Sequence, residues 1–258
     1  KSHSACYGHI SYWTAWLKAN HPVEFMAALL SNEIHNTDKI GVFVSECHRM
    51  GIEILPPDIN ASQLRFAPQP TPTGTKGIRY GLAAIKNCGE GAMAAAITER
   101  EANGKFTTLD EFATRLDSKV VNKRILENLV KAGALDWTGE TRAGMFGRLE
   151  QVVASASSSQ RDRASGQVSL FDAMEFATAV PAVKSGGAES TVEEWSKDDR
   201  LAHEKELLGF YVTGHPLDKF RGVIDSERYK RLGLIEELEI SNPRERFPFA
   251  GMIRSLES

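Results

Sequence analysis

Asn87-Cys88-Gly89-Glu90-Gly91 is a short turn between an apolar run carrying Leu82 and Ile85 and a stretch of small residues, Ala92, Ala94, Ala95 and Ala96. Glycine adopts backbone conformations closed to most residues, and asparagine tolerates the left-handed one, so the pentad can reverse the chain tightly. A helix opening right after it would point its free N–H groups outward with the positive end of its dipole. That end suits a phosphate. Lys86 stands beside the turn, and no large side chain guards the approach. The expected contact set is Lys86, Asn87, Gly89 and Gly91.

This arrangement resembles a helix-hairpin-helix, a module that grips the DNA backbone without reading sequence. That motif usually carries Gly-apolar-Gly at its turn; here the run is Asn87-Cys88-Gly89. A plain helical hairpin packed by alanines is the alternative. A second stretch, VVNKRILENLVKAGALD, repeats the idea around Gly133 but lacks the second glycine, and by itself reads as structural. It does bring Lys119, Lys123 and Arg124 together as candidate phosphate contacts. From Lys76 to Lys131 there are ten Lys and Arg against seven Asp and Glu, a local net charge of +3. A solvated helix face would look the same.

Two other stretches could recognise a partner. Gln167-Val168-Ser169-Leu170-Phe171 places an amide two residues before a pair of bulky apolar side chains. The amide can hydrogen-bond at one end of a groove while Leu170 and Phe171 fill a pocket at the other, as short extended segments do. A local staple onto the parent domain is the alternative. At the start of the chain, Lys1, Ser2, His3 and Tyr7 form a polar, partly aromatic lead into a helix. It could meet an anion or a base, or serve only as a helix cap. Nothing supports catalysis within the chain: there is no carboxylate pair at metal-binding spacing, no Gly-x-Ser-x-Gly and no P-loop. The histidines are scattered.

The elements that must hold these residues are mostly helical. Residues 1–50 show helical spacing in Ile10, Trp13 and Leu17, then Pro22 at a first turn, then Asn36 or Thr37 as a cap and Gly51 as a stop. IEILPPDIN is a short extended piece. SQLRFAP and GIRYGL flank QPTPTGTK, the pattern of a β-hairpin. Residues 81–136 return to helices, and 138–154 hold one more, with TGET resembling a capping box. Residues 155–195, rich in Ser, Ala and Gly, read as a linker. SKDDRLAHEKELLGFYV is a helix capped by Ser196.

The 258 residues are enough for two or three small domains, and 41% hydrophobic with 25% charged content is ordinary for a globular protein. A net charge of −3 excludes a global basic field, so any nucleic-acid contact must be local. Cys6, Cys47 and Cys88 are far apart without CxxC, which argues against a zinc site or a disulfide framework and fits a cytoplasmic protein. No run of about 18 apolar residues exists, so no membrane span is expected. The ends read as cut from a longer polypeptide: the chain starts in mid-pattern, and FPFAGMIRSLES reads as the first strand of another domain.

Taken together, these stretches resemble the alpha subunit of bacterial DNA polymerase III, the C-family replicative polymerase. KSHSACYGHISYWTAWLKANHPVEFMAALL, ECHRMGIEILPPDIN, YGLAAIKNCGEG, VNKRILENLVKAGALD, GQVSLFD and ELLGFYVTGHPL carry the resemblance in order along nearly the whole length. It implies a mainly α chain: the end of a fingers domain over 1–60, and a tandem helix-hairpin-helix domain with a small β-hairpin over 61–155. A linker with a clamp-binding motif follows over 156–200, a helical connector over 201–245, and the start of an OB-like strand over 246–258. It further implies DNA-templated addition of deoxynucleotides with two Mg²⁺ ions held by palm-domain aspartates, residues this chain lacks, so it should be inactive alone. Lys1, Ser2, His3 and Tyr7 would lie near the incoming nucleotide. Duplex primer-template DNA, the sliding clamp through Gln167–Phe171, and other replicase subunits would be partners. A non-catalytic helix-hairpin-helix module of a repair protein, or a purely helical scaffold, is the competing reading.

Overall fold

Local signals set the helices, and the computed structural model, which describes residues 2–164 and 192–224, follows them closely. The chain forms two compact units, Lys1–Tyr211 and Val212–Ser258. In the first, α1 spans Ser2–Asn20, α2 Pro22–Asn32 and α3 Thr37–Arg49. Pro22 occupies the first turn of α2, where its missing N–H costs nothing. The Asn36 side chain accepts from the Lys39 amide at 3.1 Å and caps α3. Gly51, at φ +72°, ends it. Met26 and Leu30 of α2 and Ile40, Val44 and Cys47 of α3 are buried. The apolar face of α1 is not: Tyr7, Ile10, Trp13 and Leu17 are exposed.

A three-stranded sheet follows, ordered β1-β3-β2: β1 is Ile54–Leu55, β2 Ala67–Pro70 and β3 Lys76–Arg79. The expected hairpin is present, with β2 antiparallel to β3 from Ala67 opposite Arg79 to Pro70 opposite Lys76. Pro68 and Pro70 cannot donate to a ladder, and β2 is accordingly an edge strand. The parallel pairing of β1 with β3, Ile54 opposite Ile78, has no local signature in the sequence.

Beyond the sheet, a 3-10 turn at Leu82–Ala84 leads to α4, Glu90–Asn103. The expected first helix of this hairpin is thus a single turn. Next come α5 (Leu109–Arg115), α6 (Lys123–Lys131), a 3-10 turn (Asp136–Thr138) and α7 (Arg142–Ala164). The last helix starts later and ends later than its sequence suggests. Thr138 lies in the 3-10 turn, and Thr141 is the capping residue, accepting from the Gly144 amide at 3.1 Å. The helix then runs into the Ser-rich stretch because one side of it stays covered: Met145, Leu149, Val152 and Ala156 are buried. Gln160 extends that stripe, donating to the Leu116 carbonyl at 2.6 Å and accepting from the Ser118 amide at 3.2 Å. Serine content alone does not break a helix whose other face is packed.

The unit closes with α8, Lys197–Leu208, capped as expected by Ser196, which accepts from the Asp199 amide at 3.1 Å. Its C-terminal end is fixed from far away. The Lys86 amide donates to the Leu207 carbonyl at 3.0 Å. The Tyr80 hydroxyl, fully buried, lies 3.1 Å from the carbonyls of both Leu208 and Ala84. Phe66 and Phe210 flank its ring at 4.7 and 5.8 Å. The second unit contributes a 3-10 turn at Pro216–Phe220 and α9 at Arg221–Ile224, with the Asp218 carboxylate accepting from the His215 amide at 2.8 Å. Residues 246–258, expected to start an OB-like strand, lie outside the described residues.

Candidate nucleic-acid interface

The turn of the first hairpin, though not the helix expected before it, has the backbone its sequence suggested. Asn87 adopts φ +63°, the left-handed conformation that the missing glycine would supply, and Gly89 adopts φ +64°. Cys88 between them is completely buried and plugs the turn into the core as an apolar residue would. Burial pushes its thiol up to about 12, so it is no nucleophile at neutral pH. The departure from Gly-apolar-Gly therefore leaves the turn intact.

What the turn presents is open. The first intrahelical bond of α4 runs from the Met93 amide to the Gly89 carbonyl at 3.2 Å. The amides of Glu90, Gly91 and Ala92 precede it and belong to the unpaired N-terminal set of any helix. A Cβ built on Gly89 or on Gly91 would meet nothing within 4 Å. Lys86 and Asn87 are exposed beside them. One carboxylate stands close: Glu90, 3.9 Å from the Arg65 guanidinium.

The second hairpin is built differently. Asn122 caps α6 by accepting from the Ile125 amide at 3.1 Å. Gly133, at φ +76°, ends the helix and is buried. A Cβ there would sit 2.2 Å from Arg142 Nη2, so this glycine makes room for a guanidinium rather than for a ligand. Arg142 pairs with Glu204 of α8 at 3.0 Å and with Asp136 at 2.7 Å. At the start of α7, the Arg142 and Ala143 amides donate to the Glu194 carboxylate at 2.9 and 3.1 Å. The Trp195 amide adds a third bond at 2.8 Å. Burial pushes the Glu194 carboxyl up, yet these three amides outweigh it and hold the group below the ordinary carboxylate range.

The cations expected around the second hairpin are brought together only in part. Lys119 and Arg124 are exposed. Lys123 faces Glu150 at 2.6 Å and Glu127 at 3.9 Å, which reduces what it can offer a phosphate. Lys119 and Arg161 line a groove of about 590 Å³ between the 116–119 loop and α7. Arg161 falls in the stretch that composition marks as linker, so the sequence hid it. Glu194 had no signal at all. Of the residues expected near the incoming nucleotide, Lys1 lies outside the described residues, as do the side chains of Ser2 and His3; Tyr7 is exposed on α1. Gln167, Val168, Ser169, Leu170 and Phe171 also lie outside them. Among the described residues, no group of three or more His, Cys, Asp or Glu could hold a metal ion, and no helix is long and apolar enough to cross a membrane.

The helix-hairpin-helix motif family matches residues 51–145, which take in both hairpins and the first turn of α7. The chain is also similar to DNA polymerase III subunit alpha from several bacteria. It is 41% identical to that of Borreliella burgdorferi over 92% of the chain and 20% of the relative. It is 36% identical to that of Saccharopolyspora erythraea over the whole chain and 21% of the relative. With that of Neisseria meningitidis serogroup A it shares 42% over 85% of the chain and 18% of the relative. The chain thus spans about a fifth of the length of the curated relatives it matches.

Proposed function

Over the stretch it shares with them, the chain belongs to the family of DNA polymerase III alpha subunits, and from that premise we propose that it is the duplex-holding part of a replicative DNA-directed DNA polymerase. The observation that carries this reading is the open N-terminus of α4 behind Asn87 and Gly89, with Lys86 at its side. Backbone amides at a helix start bind a phosphate oxygen without reference to the base, which is what a protein advancing along a duplex requires. Exposed Lys119 and Arg124 add sequence-independent attraction. Nucleotidyl transfer would be done elsewhere in a longer polypeptide, with Mg²⁺ held by aspartates outside this chain, and Lys1, Ser2, His3 and Tyr7 would approach that site.

Gly91→Leu separates grip from fold. A side chain there meets nothing in the free protein, and leucine is the better helix former, so thermal stability should hold or rise. Duplex affinity of the 258-residue chain should fall by about tenfold or more, the value of one charge-assisted hydrogen bond. Unchanged affinity by fluorescence anisotropy would rule out this hairpin as the grip.

Docking on a ring-shaped sliding clamp through Gln167–Phe171 completes the proposal. Burying Leu170 and Phe171 contributes roughly 1.5–3 kcal/mol each, partly offset by ordering the segment. Replacing both with alanine should weaken binding of the chain to the clamp by about a hundredfold or more. Equal affinity for the double variant would sink this part and leave the DNA reading standing. Clamp and duplex contacts acting together raise effective concentration, so two individually weak grips can hold a moving polymerase.

A further inference from the structure

The two hairpins differ at the atoms that matter for DNA. The start of α4 is open, whereas the start of α7 is filled by a carboxylate from the same chain. Glu194 comes from a point 52 residues beyond Arg142, and its two oxygens take the Arg142 and Ala143 amides separately, at 2.9 and 3.1 Å. Residues around it are fastened as well. The Thr141 hydroxyl donates to the Val192 carbonyl at 3.1 Å. The Trp195 ring packs edge-on against Phe146 at 5.4 Å and against His203 at 4.9 Å.

Two independent facts give this contact meaning. The match to the helix-hairpin-helix motif reaches residue 145, so the start of α7, with the amides of 142 and 143, falls inside the matched stretch. The group found on them is an anion with two oxygens, the same hydrogen-bonding chemistry as a backbone phosphate. An ordinary cap would come from the residue next to the helix, and Thr141 already fills that role for Gly144.

We propose that Glu194 is an internal stand-in for a DNA phosphate, which keeps the helix start of the second hairpin off the duplex and leaves the start of α4 as the one set of helix amides that grips it. The idea rests on the DNA-binding reading above. It explains why Gly133 is committed to packing on Arg142 while Gly89 and Gly91 face open space. It also explains a motif that matches in sequence across both hairpins but offers a free helix start at only one. Displacing the carboxylate would expose a second phosphate contact, so the chain carries more DNA-binding capacity than it uses.

The test is the salt dependence of duplex binding by the 258-residue chain, with a mixed-sequence duplex as probe. Glu194→Gln removes the charge but keeps the size. Removing the Glu194 charge leaves one more unit of phosphate charge neutralised on binding, worth about 0.9 in the slope of log affinity against log salt, so the variant should lose about three- to fourfold more affinity than the parent over a fourfold rise in salt. It should also bind more tightly at low salt. Trp195→Ala loosens the same contact from its aromatic side and should move the slope the same way. That second variant keeps the test decisive if Glu194→Gln lowers the folded fraction, which circular dichroism reports. A salt-sensitive parent with both variants at the parental slope overturns the proposal and leaves DNA binding intact. A parent and variants that all fail to bind overturn both.

Discussion

Arg142→Met should cost about 3–5 kcal/mol of unfolding free energy, because it takes the Arg142 guanidinium away from a buried carboxylate, Glu204. The Arg142 side chain is 4% exposed and that of Glu204 is fully buried, with 3.0 Å between them. Asp136, half exposed, holds the other side of the guanidinium at 2.7 and 2.9 Å. A carboxylate taken out of water is tolerable only beside a compensating charge and hydrogen bonds. The same physics gives the opposite sign for removal of the pair. Arg142→Met combined with Glu204→Met should recover most of the loss, since apolar replacements of similar volume often match a buried ion pair. Urea denaturation of the two single variants and the double variant closes the cycle. A loss below about 1 kcal/mol for Arg142→Met would mean that water reaches Glu204 and the pair is not a dry one.

Gly209→Ala is the second large effect expected, and Gly139→Ala is its control. Both glycines have positive φ, +84° and +78°, so alanine strains each backbone alike, by roughly 1–2 kcal/mol. At Gly139 a Cβ would meet nothing within 4 Å. At Gly209 it would lie 2.3 Å from the Thr37 carbonyl oxygen and 3.0 Å from its carbon, backbone atoms that cannot swing aside. Relieving that overlap must move the end of α8 off the start of α3. Overpacking costs about 1–3 kcal/mol more. The displacement has a second consequence, because the same end of α8 accepts from the Lys86 amide and the Tyr80 hydroxyl. Gly209→Ala should therefore weaken duplex binding along with stability, whereas Gly139→Ala should lower stability slightly and leave binding alone. Equal loss of stability in both would show that strain, not the close approach to Thr37, sets the cost.

The limits of sequence reading show in particular residues. Asn87 as a left-handed stand-in for glycine was legible, because φ preference belongs to one residue and its immediate neighbours. So were the caps of Asn36 and Ser196, whose partners lie three residues on. The end of α7 was not. Composition marks ASASSSQRDRA as linker, while Ala156 is buried and Gln160 is held by a loop more than 40 residues away. The exposure of Tyr7, Ile10, Trp13 and Leu17 was not legible either, since periodicity names an apolar face without saying what covers it.

Local chemistry in the sequence was enough to determine the caps of α3 and α8, the β2–β3 hairpin, and the two glycine turns, since bonds spanning three or four residues and single-residue φ preferences decide those features. Tertiary structure alone decided which hairpin is open. That choice depends on Glu194 reaching α7 and on Tyr80 and Lys86 meeting the end of α8, the Tyr80 contact spanning 128 residues. Such contacts follow from the packing of the whole unit, and no periodicity or cap rule in one stretch encodes the position of another.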